Sequence, residues 1–471
     1  MAALSDRKIE IVRTLVESAP DRIVGGLQRA LADTGGDTVL ASVRALVEAE
    51  ADDRILRNAV LQPIAPLCVG AGSGKHGLVF PARALALVWR GLKVRAPDEM
   101  AAAAEVSAGI AIALAKEQRP PDPGKAFDVL AKLAAEALRS SDIRDFRAAM
   151  DLCNRAWAGG GEAFAACLDI APVVRLTLPR LPEWVAHPGE ETGAAARLAY
   201  HDAVAIAEDA GPRFFEMLAG QLTPPWMVLR IISAVMDKPT ERYLADSELG
   251  GFPERVMAEI DEALEAISRL DLDGGPEAGR IAGGLVHLIV QQTFELEVCI
   301  ETTRDHGWGH RIVGQKKALA SLVEARLWET EKLVMAALPA QSSGFARPRK
   351  GSPKLDAPPD PKAARRAMTL LTFAHELRLC ADHGGFSAVH SKVTDKLGGT
   401  IDHYVDDVLD HVRTGDVPDI GIAHAFLLLA ADAAGLVRDV QAAKLVRRRA
   451  AAACMPPDNL AARGNPMILD A

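Results

Sequence analysis

Six consecutive residues, Asp305-His306-Gly307-Trp308-Gly309-His310, bring together a carboxylate, two imidazoles and an indole. Imidazole nitrogens and carboxylates bind zinc and move protons near neutral pH, and an indole adds a flat apolar wall with one N–H donor. The two glycines free the backbone at what reads as the end of a helix over 277–305. Asp305, His306, Trp308 and His310 are therefore the candidate ligand-binding loop. The same residues also allow a structural reading, with Gly307 as the helix C-cap and Trp308 as a packing anchor.

His375 is the second candidate, a buried functional histidine. Leu371 and Leu379 flank it one turn away, Met368 shares its side, and Leu370, Phe373 and Leu377 form another apolar face, so its helix reads as central. A hydrogen-bonded core histidine is the plain alternative. The run His375-Glu376-Leu377-Arg378 matches the start of the histidine-kinase phosphoacceptor box, H-E-L-R-T-P-L, but Leu379-Cys380-Ala381 replaces its continuation. Fewer than about a hundred residues follow, too few for an attached kinase ATPase domain.

Three further signals are weaker. His403, Asp407 and His411 stand at successive i,i+4 steps, a ligand-like spacing, yet they lie opposite Ile401, Tyr404, Val405 and Val408 and read as a solvated face. His201-Asp202 is the dipeptide that names the HD phosphohydrolases, without recognisable partners for the further ligands such a site needs. The loop Val69-Gly70-Ala71-Gly72-Ser73-Gly74-Lys75-His76 approaches the phosphate-cradling G-x-x-x-x-G-K-[ST] pattern. Val69 stands in place of its first glycine and His76 in place of the hydroxyl residue, so the loop reads as a turn. No metal or cofactor is expected.

The elements that must hold these residues are helical. In 253–269, Val256, Ile260, Leu264 and Ile267 recur at helical spacing among Glu254, Glu259, Asp261, Glu262 and Glu265, after a first-turn Pro253. Further helices are expected near 5–18, 21–33, 38–50, 53–62, 81–92, 97–118, 125–139, 142–157, 161–171, 192–210, 212–221, 224–236, 277–305 and 315–338. No segment reads convincingly as a strand. The expected fold is all-α, either an irregular α-solenoid of helical-pair repeats or stacked helical bundles, with no significant sheet. It divides into an N-terminal helical region 1–171, a Pro-rich crossing 172–190, a second helical region 191–338, a Pro/Ser/basic linker or loop 339–361, a C-terminal helical block 362–454 and a tail 455–471.

Composition narrows function. The chain has 471 residues and a net charge of −9, from 54 basic and 63 acidic residues, which argues against nucleic acid as the main partner. Aromatics are only 4 % of the chain, leaving few for base-stacking platforms. The six cysteines are scattered without a C-x-x-C pair and read as reduced core residues. The N-terminus runs directly into charge, and the most apolar windows carry polar residues, so neither a signal peptide nor a membrane span is expected. Together these features point to a cytoplasmic helical scaffold or adaptor whose partner is another protein, and away from catalysis. The alternatives are a metal-dependent phosphohydrolase assembled across helices and a histidine-based phosphotransfer or signalling helper.

Overall fold

The computed structural model describes residues 6–32, 38–69, 77–118, 124–140, 142–341 and 352–454. Within them the fold is all-α: helices run from end to end, and the only strands are two pairs of two residues each. Gly70 to His76, residues 342–351 of the expected linker, and the tail from Met455 lie outside the described residues. The chain divides into two compact units, Met1–Arg255 with Val298–Glu301, and Val256–Glu297 with Thr302–Ala471.

The first unit contains α1 (Asp6–Ser18), α2 (Asp21–Ala32), α3 (Thr38–Val60), β1 (Cys68–Val69), β2 (Phe80–Pro81), α4 (Arg83–Arg95), α5 (Pro97–Ala115), α6 (Gly124–Ser140), α7 (Arg144–Ala156) and α8 (Gly160–Thr177). It continues through α9 (Leu181–Ala186), α10 (Glu190–Val204), α11 (Ala210–Gly220), α12 (Val228–Met236) and α13 (Glu241–Ala245). The unit boundary falls inside α14 (Gly251–Ser268). α6 packs on α8 and α4 on α7. The core gathers Trp89, Phe80, Phe146, Phe164, Phe214 and Phe215, all fully buried. Phe164 meets Phe80 edge-on at 4.9 Å between ring centres, a favoured aromatic geometry. A Cβ at position 91 would stand 2.8 Å from the Phe146 ring, so Gly91 is what lets α4 lie against α7.

Among the helix boundaries that differ from expectation, two in the first unit have a clear physical cause. α3 runs unbroken through Glu50-Ala51-Asp52, where the sequence suggested a turn. Glu50 is turned inward and shared by Arg54 and Arg57, so a residue that reads as polar punctuation is part of a buried stripe. α8 continues past residue 171 with Pro172 inside it. An internal proline costs about 3 kcal/mol. Burial of Leu168, Ile170 and Val174 on the same helix, at roughly 1.5–3 kcal/mol each, outweighs it.

The second unit holds the rest of α14, then α15 (Gly275–Cys299) as far as Glu297, α16 (Gly307–Ala337), β3 (Ala340–Gln341), β4 (Ser352–Pro353), α17 (Pro361–Glu376), α18 (Ser387–Thr414), α19 (Ile420–Val437) and α20 (Val440–Cys454). α16 packs on α17 and α18, and α19 packs on α17, α18 and α20. A Cβ at Gly279 would sit 2.1 Å from the Thr369 carbonyl oxygen, and one at Gly283 would sit 2.4 Å from the Glu376 Cβ. Two glycines one turn apart on α15 therefore set its close approach to α17. Asp360 caps α17 by accepting from the Lys362 and Ala363 amides, with Pro361 in the first turn. α19 is long and apolar enough in composition to cross a membrane, and Ala423, Phe426, Leu427 and Ala430 on it are buried among its neighbours.

Candidate functional site

The Asp305–His310 segment opens a helix instead of closing one. α15 ends at Cys299, and His306 is the extended N-cap of α16, its carbonyl accepting the His310 amide at 3.2 Å. Gly307 is thus not a C-cap. Trp308 is 7 % exposed and anchors the new helix in the core, whereas Asp305, His306 and His310 face outward. Gly309 is required by space, because a Cβ there would lie 2.1 Å from the Thr303 carbonyl oxygen. The His306 ring stands 3.2 Å from the Thr303 hydroxyl. The indole and the polar groups therefore lie on opposite sides of the backbone and do not converge on one point. Among the described residues, no group of three His, Cys, Asp or Glu side chains is arranged to hold a metal ion.

His375 is half-buried, with Nδ1 2.9 Å from the Leu436 carbonyl oxygen in the last turn of α19. A carbonyl only accepts, so Nδ1 carries the hydrogen. Arg378 donates to the Leu436 and Arg438 carbonyls at 2.9 and 2.8 Å, and to Val437 as well. The His-x-x-Arg pair thus closes the carbonyl end of α19, where donors and positive charge oppose the helix dipole. His390, which the sequence pattern did not single out, does the same for α17: its Nε2 lies 2.8 Å from the Ala374 carbonyl oxygen, and it is 7 % exposed.

His403 and His411 turn Nδ1 back onto the Gly399 and Asp407 carbonyls of their own helix, and His411 Nε2 meets Ser352 Oγ at 3.0 Å. Their i,i+4 spacing serves α18 itself. His201 and Asp202 are exposed on α10.

The densest polar constellation was not among the expected sites. Glu17 of α1 and Glu50, Arg54 and Arg57 of α3 are each at most 8 % exposed. Glu50 binds Arg54 Nε at 2.7 Å and Arg57 Nη2 at 2.8 Å. Arg54 also reaches Asp21 at 2.5 Å and the Val16 and Ala19 carbonyls at 2.9 and 2.8 Å, pinning the end of α1 to α3. From α4, Arg90 approaches Glu17 to 3.1 Å and Arg83 to 3.6 Å, while Arg90 holds Asp145 of α7 at 3.0 Å. Burial pushes the Glu17 carboxyl above its ordinary range, opposed by Arg90 and Arg83. A signal for this cluster was present in the sequence. Val47, Glu50, Arg54, Arg57 and Leu61 follow heptad core spacing, and Glu10/Glu17 and Arg83/Arg90 are each seven residues apart, so charged residues fill positions that normally carry aliphatics.

Glu216 on α11 is a second inward carboxylate. It accepts the Gly77 amide at 3.1 Å and Arg255 Nη2 at 2.5 Å, and burial raises its carboxyl above the ordinary range against the pull of Arg255. It ties down the chain just after the Gly-rich stretch.

Comparison with known proteins gives no relative: no family model, curated protein or solved structure matches the chain.

Proposed function

We propose that this protein is a non-catalytic helical scaffold that works by binding another protein in the cytoplasm. One observation carries the reading. On α1, Ile11 and Leu15 stand one turn apart, 53 % and 65 % exposed. They line an open groove of about 780 Å³ together with Arg7, Arg13 and Arg144. Single exposed aliphatics are ordinary on any surface, but an apolar stripe rimmed by charge is the composition of an interaction surface. Arg7 and Arg144 form no ion pair among the described residues, so positive charge on the rim is available to a partner. His375, the candidate for a phosphotransfer site, supports this reading too, since its ring is engaged with the Leu436 carbonyl.

The test is affinity capture with the wild-type chain and with Ile11→Ser/Leu15→Ser. A stoichiometric protein partner that the double variant loses, with unchanged circular dichroism, supports the reading. Retention of that partner at full stoichiometry rejects the groove. Phosphatase activity that tracks with a co-purifying metal rejects the non-catalytic assignment.

A further inference from the structure

The charge around the groove on α1 narrows what can fill it. Arg7, Ile11 and Leu15 are all exposed and stand four residues apart, so a guanidinium group and two aliphatic side chains run in one line along the solvent face of α1. Among the described residues lining the groove, Glu10 is the only acid, against Arg7, Arg13 and Arg144. Glu10 is already held by Arg13 at 3.0 Å and stands 3.6 Å from both Arg83 and Arg90, so three guanidinium groups share one carboxylate. Arg7 and Arg144 have none among the described residues. The groove therefore keeps uncompensated positive charge although the whole chain carries −9. A partner with carboxylates beside its apolar anchors is the electrostatic complement.

Backbone chemistry selects the conformation of that partner. The groove is lined by α1 and by Arg144, the first residue of α7. It has no sheet edge, so an extended peptide would gain no ladder of backbone hydrogen bonds there. A helix satisfies its own backbone and presents side chains at i, i+3 and i+4, a spacing that meets Ile11 and Leu15 one turn apart. On the basis that this groove binds a protein, as proposed above, we infer that its occupant is an acidic amphipathic helix of another protein, with aliphatic side chains packed on Ile11 and Leu15 and carboxylates paired with Arg7 and Arg144.

Fluorescence anisotropy of the full chain with a stapled helical peptide tests it, the peptide carrying Leu at i, i+3, i+4 and i+7 and Glu on its flanks, beside the same helix with Gln or Lys flanks. The Glu helix is expected to bind, the Gln helix to bind about threefold to tenfold more weakly and the Lys helix more weakly still, as two partly exposed ion pairs allow. Binding of the Glu helix should weaken as salt rises. Arg7→Glu/Arg144→Glu should reverse the order so that the Lys helix binds best, and Ile11→Ser/Leu15→Ser should remove binding of all three; these side chains are exposed, and unchanged circular dichroism checks that both variants fold. No binding of the Glu helix, equal binding of the Glu and Gln helices, an unaltered order in the charge-reversed variant, or sedimentation with phosphatidylserine vesicles that depends on Arg7 and Arg144 would each overturn the proposal. A captured protein partner lost by Ile11→Ser/Leu15→Ser but fully kept by Arg7→Glu/Arg144→Glu would reject the acidic helix and leave the protein-binding groove standing.

Discussion

Glu17 is the residue at which burial and charge compete most openly. Desolvation is the leading influence on it and raises its carboxyl above the usual carboxylate range, with Arg90 and Arg83 pulling the other way. A carboxyl raised in the folded state binds its proton more tightly there than in the unfolded chain. Its contribution to stability is therefore fully present below the unfolded value of about 4.3 and is lost as pH rises through the folded value. Glu17→Gln resembles the protonated form at every pH. Urea midpoints measured from about pH 4.5 to about pH 8 should show the variant gaining on the wild type as pH rises. A variant that instead falls progressively behind would mean that the arginines, not desolvation, govern this site.

Among the helices, two close packings make contrasting predictions. Gly279→Ala or Gly283→Ala places a methyl group into α17, and overpacking of this kind costs about 1–3 kcal/mol. Gly284 is on the same helix, and a Cβ there would meet nothing within 4 Å, so Gly284→Ala should stabilise by about 0.5–1 kcal/mol through helix propensity alone. Denaturant unfolding of the three variants checks both signs. The charge stripe on α3 makes the second contrast. Glu50→Ala leaves Arg54 and Arg57 buried without their shared carboxylate, an expected loss of about 3–5 kcal/mol. Glu265→Ala removes the partner of Arg269 in a pair exposed by 58 % and 75 %, and should change stability by less than about 1 kcal/mol. Equal losses in the two variants would show that the α3 network is not desolvated as the structure has it.

Across the chain, the placement of the histidines bears on metal. A metal centre needs deprotonated ligands converging on one point with supporting contacts, whereas His375, His390, His403 and His411 hydrogen-bond to backbone carbonyls and His306 and His310 face outward. Untagged protein purified without chelator should contain far less than one equivalent of any transition metal by elemental analysis. His306→Ala/His310→Ala should leave the melting temperature nearly unchanged. Stoichiometric zinc, manganese or iron lost in that double variant would move the functional site to the start of α16.

That the chain is helical could be read from its residues alone, because apolar spacing, caps and turn residues are local properties: Pro253 in the first turn of α14 and Asp360 capping α17 need no distant partner. The amphipathic face of α18 was equally legible: it turned His403 to solvent, whereas His411 is half-buried against Ser352. Other features depended on contacts remote in sequence. Whether Asp305–His310 ends one helix or begins the next was decided by burial of Trp308 and by the fit of Gly309 against the Thr303 carbonyl. The role of His375 required a carbonyl 61 residues away. Glu50 looked like a helix stop because acidic residues favour solvent; Arg54 and Arg57 of its own helix hold it inside, and Arg54 is fixed in turn by Asp21 and by the carbonyls at the end of α1. Periodicity records which side of a helix is covered, but the chemistry of the covering side comes from other helices, and that is where the buried charge network arises.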